Sequence, residues 1–166
     1  MPATVTLKGN PIALEGPEIK VGDKAPDFKA SKNLMDDCSL ADMAGKTVII
    51  SSVPSLDTSV CDTSSKRFNT EAGKLGDDVA ILTISCDLPP AQARWCGAAD
   101  AKNLVVVSDY KHRDFGKKYG VWMPALGVNA RAVFVVGPDG VVKHVQYVPE
   151  IAQEPDYDAA LAAAKA

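Results

Sequence analysis

Residues 54–61 place a proline, a threonine hydroxyl and a thiol at a point where the chain changes from strand to helix. An apolar, β-branched run over residues 47–53 precedes this stretch, and helical periodicity over residues 60–75 follows it. The unpaired N–H groups at a helix start favour negative charge, so a thiol placed there tends to ionise. The thiolate is the nucleophilic form of cysteine. The sequence therefore predicts that Cys61 is a reactive thiolate.

The residues around Cys61 have the types that reduction of a peroxide requires. Thr58 carries a hydroxyl that both donates and accepts hydrogen bonds, and Pro54 stiffens the loop and can pack over the site. A nearby arginine would add donors for the leaving oxygen. Attack on a peroxide turns the sulfur into a sulfenic acid, which condenses with a second thiol. Cys96, in the next predicted helix, is the candidate for that second thiol.

The chain has four cysteines and no C-x-x-C pair, so the zinc-ribbon and dithiol motifs are both absent. A chain with this apolar content has no need of structural disulfides, and a disulfide in a cytoplasmic protein is more often transient and catalytic. Cys86 ends a predicted buried strand, where core packing is the expected role. Cys38 is predicted to be a loop thiol without a catalytic role.

Length and composition favour one domain over residues 1–166. The net charge is −3 and basic runs are absent, which argues against a nucleic-acid partner. No basic leader with an apolar core and no run of membrane-spanning length occurs, so we expect a cytoplasmic protein that does not insert into a membrane.

The order of the predicted elements indicates an α/β fold: a mixed central sheet with flanking helices, compatible with a thioredoxin-like fold. Proline and acidic residues over 154–156 open a terminal helix, with Pro155 near its first position. The predicted elements are a hairpin (4–7 and 11–14), strands (47–53, 78–85 and 104–107), helices (60–75, 91–99 and 114–119), and a second hairpin (131–136 and 141–148).

The pattern Pro54-x-x-x-Thr58-x-x-Cys61 resembles the active-site motif of the peroxiredoxins. The N-terminal hairpin and residues 94–98, 130–133 and 154–157 extend the resemblance over nearly the whole chain, to the thiol peroxidase (Tpx) branch of that family. This resemblance implies a thioredoxin fold with an added N-terminal hairpin and a homodimer. We expect neither a cofactor nor a bound metal.

The resemblance also implies roles for individual residues. Cys61 would be the peroxidatic cysteine, and Cys96 would resolve it as an intrasubunit disulfide that thioredoxin reduces. Pro54, Thr58 and Arg131 match the residues that line the peroxide site. The implied substrates are hydrogen peroxide and organic hydroperoxides, with a lean toward alkyl ones.

Lys66 excludes one variant of the peroxiredoxin cycle. Another branch of the family has its resolving cysteine at the position where this chain has Lys66. Because Cys61 and Cys96 both lie in predicted helices and a disulfide needs Cα atoms within about 7 Å, we expect a conformational change between the reduced and disulfide forms. Trp122 and Met123 belong either to the core or, as we favour, to a dimer contact.

Other interpretations stay open at this point. In one of them Cys61 is an inert buried thiol and Cys96 a structural or incidental cysteine. Thr58 could serve only as an N-cap, Arg131 could be a surface charge, and Arg94 is either an outward-facing residue or part of the site. A Cys–His hydrolase needs His112 or His144 beside the thiol. A redox sensor signals through the same disulfide without efficient turnover, and a thioredoxin-like binding module has only incidental cysteines.

Overall fold

The computed structural model describes residues 4–166, which form eleven strands, four α-helices and one 3₁₀ turn at Leu40–Met43. Within this range no helix is both long and apolar enough to span a bilayer. The strands are β1 (Thr4–Leu7), β2 (Asn10–Ala13), β3 (Lys29–Ser31), β4 (Asp37–Ser39), β5 (Thr47–Ser52), β6 (Val79–Ser85), β7 (Val105–Ser108), β8 (Trp122–Met123), β9 (Val128–Asn129), β10 (Ala132–Val136) and β11 (Val142–Tyr147). The helices are α1 (Ser59–Ala72), α2 (Pro89–Ala99), α3 (Asp114–Lys118) and α4 (Tyr157–Lys165).

Seven strands form the central sheet in the order β11-β10-β5-β6-β7-β3-β4. Strands β5, β6 and β7 are parallel, whereas β10, β11, β3 and β4 join the two edges as antiparallel strands. Every residue of β5 is buried, as expected of an apolar, β-branched strand that is covered on both faces. The predicted α/β fold with a mixed central sheet is therefore confirmed.

The helices cover both faces of this sheet. Ile49 and Ile50 are neighbours on β5 and point to opposite faces. Ile49 packs in the cluster that holds Phe68 of α1 and Leu161 of α4, whereas Ile50 packs in the cluster that holds Phe115 of α3. Helices α1 and α4 thus share one face, and α3 lies on the other.

Helix α2 lies on the same face as α1. Trp95 of α2 packs with Val106 of β7 and with Cys61 of α1, whereas the next β7 residue, Val107, belongs to the cluster on the opposite face. Across this face the helices therefore follow the order α4, α1, α2, and the carboxyl ends of β5 and β6 open toward the start of α1 and α2.

Several elements differ from the sequence-based expectation. The N-terminal hairpin is confirmed as the two-stranded sheet β1-β2, but the hairpin β3-β4 was not expected, because its strands are short and lack apolar alternation. Helix α1 ends at Ala72, whereas the predicted helix continues to residue 75. Placing Pro155 near the first helical position was wrong: the Asp156 carboxylate accepts from Ala159 N at 3.0 Å and caps α4, so Pro155 precedes the helix.

Candidate active site

The loop that follows β5 is held by the carboxylate of Asp87. Asp87 accepts hydrogen bonds from Ser55 Oγ at 2.6 Å and from Leu56 N at 2.8 Å. It also accepts from Ser85 Oγ at 2.7 Å, which anchors the carboxylate to the end of β6. Bonds to a charged acceptor are stronger than neutral ones. The carboxylate thus joins the loop to the neighbouring parallel strand and fixes the path of the chain into α1.

Thr58 stands at the N-cap position of α1, but its hydroxyl does not cap the helix. Its Oγ1 donates instead to Ser55 O at 3.0 Å, while its backbone oxygen accepts from Asp62 N at 2.9 Å. Because the hydroxyl hydrogen is committed to Ser55, the oxygen of Thr58 has its lone pairs left to accept a hydrogen bond.

Cys61 lies in the first turn of α1, and its side chain is completely buried. Arg131 Nη2 donates to Cys61 Sγ at 3.0 Å. A guanidinium at that distance stabilises negative charge on the sulfur, and the helix N-terminus acts in the same direction. The sulfur therefore occupies an electropositive site, as the position at a strand–helix junction predicts.

Two further bonds hold the guanidinium of Arg131 in place. Nε donates to Ile151 O at 2.9 Å, and Nη1 donates to Ser64 Oγ at 3.3 Å. Arg131 is only 2% exposed, so the interpretation of this residue as a surface charge is wrong. Neither Ser64 nor Ile151 was expected from the sequence. Ser64 follows Cys61 by one helical turn, a spacing that could have indicated it.

A pocket of about 240 Å³ opens beside this sulfur–guanidinium pair. Pro54, Thr58 and Arg131 are part of its wall, so the structure brings the three residues together with Cys61. The rest of the lining is largely apolar. Its members are Leu7, Ser59, Val60, Met123, Leu126, Ile151 and Ala152. A small molecule with an apolar part and a polar end would find here Thr58 Oγ1 as an acceptor and the Arg131 guanidinium as a donor, with Cys61 Sγ next to that guanidinium.

Cys96 lies near the end of α2 and is partly buried. Its side chain packs against the apolar cluster that contains Cys61 and Trp95, so the two thiols border one cluster. Both are free thiols in this structure. Burial raises the pKa of the Cys96 thiol, which keeps it protonated around neutral pH. Trp95 Nε1 also donates to Asp62 Oδ1 at 2.7 Å, which links α2 directly to α1.

The remaining candidates lie away from the pocket. Cys86 follows β6, and burial together with the charge of Asp109 raises its pKa to about 11. Cys38 lies in β4, paired with Ala30, rather than in a loop as expected. Arg94 is exposed on α2 and lines a separate shallow groove.

Neither histidine supports a Cys–His hydrolase. His112 Nε2 lies 3.0 Å from Asp37 Oδ2, and His144 lies within β11 opposite Val135. Within residues 4–166, neither lines the pocket beside Arg131.

Trp122 and Met123 were expected at a dimer contact. Met123 is buried in the core and reaches the pocket wall. Trp122 is partly buried beneath the guanidinium of Arg113.

Comparison with known proteins agrees with this geometry. The Redoxin family model matches residues 20–161. The chain is 49% identical to the thiol peroxidase of Bacillus subtilis (strain 168) over 99% of this chain and 98% of that protein. It is 48% identical to the thiol peroxidase of Staphylococcus aureus (strain MRSA252), over 97% of each.

Solved structures extend the similarity to three dimensions. A peroxiredoxin-like protein from Aquifex aeolicus superposes with a TM-score of 0.91 at 42% identity, covering 98% of this chain and 95% of that one. The thiol peroxidase from Chromobacterium violaceum shares the fold, with a TM-score of 0.84 at 21% identity over 94% and 91% of the two chains. The chain therefore belongs to the Redoxin family and, within it, to the thiol peroxidases.

Proposed function

We propose that the chain reduces hydroperoxides with Cys61 as the attacking thiolate and Cys96 as the resolving thiol. The observation that carries this proposal is the 3.0 Å contact between Arg131 Nη2 and Cys61 Sγ beside a small apolar pocket. A buried cation is costly unless it is paired, and a thiolate partner meets that need. Hydrogen peroxide and alkyl hydroperoxides are the substrates of the size and polarity that suit the pocket.

In the first step the thiolate attacks the terminal oxygen of the hydroperoxide. The S–O bond forms as the O–O bond breaks, and the leaving oxygen takes a proton, so that the products are Cys61 sulfenic acid and an alcohol, or water from hydrogen peroxide. Thr58 Oγ1 accepts a hydrogen bond from the peroxide O–H, and Arg131 donates to the leaving oxygen. Preorganised donors of this kind stabilise the charge that develops in the transition state.

In the second step the Cys96 thiol attacks the sulfenic sulfur. The S–S bond forms, the S–O bond breaks, and one water leaves. A reduced dithiol protein, thioredoxin, then restores both thiols by exchange, taking up the disulfide itself. Since Cys61 and Cys96 are both held in helices, we expect local movement of α1 or α2 during this step.

Replacement of Arg131 by lysine or methionine is expected to slow the reaction of Cys61 with peroxide by about 10²- to 10³-fold, the usual cost of losing a preorganised donor. Lysine keeps a charge but cannot reach the sulfur, Ser64 Oγ and Ile151 O at the same time. The rate constant for sulfenic acid formation, measured by stopped-flow with a hydroperoxide, checks this expectation.

A buried arginine also contributes to the fold, so thermal unfolding and near-ultraviolet circular dichroism must accompany that measurement. Arg67→Lys is the matched control, because Arg67 is an α1 arginine that pairs with Glu71 at the surface. It should react at the wild-type rate. A folded Arg131→Met protein that reacts as fast as the wild type would remove Arg131 from the proposed site.

The same proposal includes the cellular location and the oligomeric state of the protein. A thioredoxin-reduced disulfide suits a reducing compartment, which supports a cytoplasmic location. A homodimer is supported by the family resemblance and by Leu126, which is 43% exposed at the pocket wall. Paired chains would cover this apolar rim and exclude water from the reacting sulfur.

Turnover separates this enzyme from a redox sensor that uses the same two cysteines. The test is the coupled oxidation of NADPH by thioredoxin reductase, thioredoxin and this protein, with hydrogen peroxide and an alkyl hydroperoxide as alternative substrates. An enzyme consumes peroxide in large molar excess over its own thiols. A sensor stops after each thiol pair has reacted, and that outcome would replace the proposed function.

A further inference from the structure

A hydrogen bond joins the residues that are adjacent in sequence to the two proposed redox cysteines. Trp95 Nε1 donates to Asp62 Oδ1 at 2.7 Å; Asp62 follows Cys61, and Trp95 precedes Cys96. Trp95 is only 9% exposed and the Asp62 side chain is 34% exposed, so the donor of this charged hydrogen bond is shielded while its acceptor is partly open to water. The bond therefore ties the first turn of α1 to the last turns of α2.

The other oxygen of the Asp62 carboxylate faces solvent. Asp62 Oδ2 lies 2.9 Å from Lys66 Nζ, and the Lys66 side chain is 53% exposed. Burial alone would raise the pKa of Asp62, but the hydrogen bonds from Lys66 and Trp95 outweigh it and lower the pKa. Asp62 therefore stays a carboxylate at neutral pH and remains a strong acceptor for the indole.

Formation of the disulfide draws the sulfur of Cys61 away from its present partner. Arg131 immediately precedes β10, whereas α2 packs against β7. In the sheet β5 and β6 separate these two strands. We therefore expect the sulfur to leave Arg131, on the β10 side of α1, and to move toward Cys96 on the α2 side. Because Asp62 is the next residue, that movement also displaces its carboxylate.

We propose that the Trp95–Asp62 hydrogen bond is a latch that holds the first turn of α1 in the peroxide-reactive arrangement and slows disulfide formation. The inference rests on the proposed function, since it assumes that Cys61 and Cys96 form the disulfide. Asp62 and Trp95 act through Cys61 and Cys96 and are positioning residues. The latch leaves the chemistry unchanged: sulfenic acid and thiol still give disulfide and water.

The latch has a consequence for the fate of the sulfenic acid. While the latch is closed, Cys61 stays beside the pocket, where a second peroxide molecule can oxidise the sulfenic acid to sulfinic acid. When the Trp95–Asp62 bond opens, the sulfenic sulfur of Cys61 can reach the Cys96 thiol and form the disulfide. At a given peroxide concentration, a stronger Trp95–Asp62 bond therefore shifts the partition from the productive disulfide toward overoxidation.

The test measures the two chemical steps separately in variants that lack the bond. Trp95→Phe keeps an aromatic ring and removes the donor, and Asp62→Ala removes the acceptor. Each variant is mixed with equimolar hydroperoxide, quenched in acid at intervals and analysed by mass spectrometry for sulfenic acid and disulfide. The attack step is measured alone in the Cys96→Ser background.

Each variant is expected to form the disulfide about tenfold faster than the wild type, the effect of losing one charged hydrogen bond from the arrangement that precedes the step. Because Arg131 still holds the Cys61 sulfur before oxidation, the attack rate should be unchanged, which a general loss of structure would not produce. The fraction of sulfinic acid at excess peroxide should fall in parallel. The double variant should be no faster than either single variant, because both changes remove the same bond.

Two matched variants control for charge and for packing. Asp62→Asn keeps an acceptor oxygen for the indole and should retain slow disulfide formation. Lys66→Gln removes the salt bridge and leaves the Trp95–Asp62 bond intact, so it should behave as the wild type.

The outcomes separate the latch from the function on which it rests. Wild-type protein that forms no Cys61–Cys96 disulfide would overturn both. A wild type that forms the disulfide, with Trp95→Phe and Asp62→Ala forming it at the same or a lower rate, would overturn the latch and leave the peroxidase function standing.

Discussion

Replacement of Cys61 by serine is expected to abolish peroxide reduction. A serine hydroxyl is not ionised beside Arg131 at neutral pH and does not attack the O–O bond, so the reaction loses its nucleophile. We expect a loss of at least about 10³-fold, as for other nucleophile replacements. The coupled oxidation of NADPH with thioredoxin and thioredoxin reductase measures it.

The same substitution at the other cysteines outside the proposed cycle is the control. Cys38→Ser and Cys86→Ser each remove a partly buried thiol that does not line the pocket. Both variants should keep the wild-type rate. The assignment of Cys61 as the nucleophile would be wrong if the Cys61→Ser protein gave multiple turnovers. It would also be wrong if a folded Cys38→Ser or Cys86→Ser protein lost its activity.

Much of the fold could be predicted from the sequence because its central elements carry strong local signals. The run over residues 47–53 is apolar and β-branched throughout, and it forms the fully buried β5. The helix expected over residues 91–99 forms α2, which begins two residues earlier, at Pro89, where a missing N–H group has no cost. The short strands β3 and β4 carry no such signal. They owe their pairing to the sheet edge rather than to their own composition.

The same distinction applies to the site. Cys61 was predictable because a thiol at a strand–helix junction is a local feature of the chain. The contact of Arg131 with Cys61 was not, since it depends on β10 lying next to β5, and no local pattern specifies that order of strands. Arg131 entered as a candidate through the family resemblance alone. The Ile151 carbonyl that orients Arg131 could not be predicted by either route.

Burial of the Cys61 sulfur bears on the proposed reaction. Cys61 is 0% exposed, and Pro54 and Thr58 belong to the wall of the adjacent pocket, so we expect a hydroperoxide to reach Sγ only through a small movement of that wall. Asp87 holds the loop that carries both residues by two hydrogen bonds, to Ser55 and Leu56. We therefore expect this loop to exclude bulky thiols and to admit small molecules that bind in the apolar pocket.

Replacement of Cys96 by serine is expected to stop thioredoxin-dependent turnover after one peroxide per chain. The attack step needs only Cys61 and its surroundings, so sulfenic acid should form at the wild-type rate. Without the thiol that borders the same apolar cluster, no intrasubunit disulfide forms, and thioredoxin has no disulfide to reduce. The expected result is the loss of one peroxide per chain, with no oxidation of NADPH above the background rate.

The position of Cys96, rather than the number of thiols, should determine this result. Cys86→Ser is the matched control, because it also removes one partly buried thiol from a residue near the carboxyl end of the sheet. That variant should turn over normally and give the Cys61–Cys96 disulfide in non-reducing peptide mapping. If instead the Cys96→Ser protein cycles at the wild-type rate with thioredoxin, then Cys61 sulfenic acid is reduced directly. The chain would then be a peroxidase that works with a single cysteine, and the Asp62–Trp95 bond would lose its proposed role.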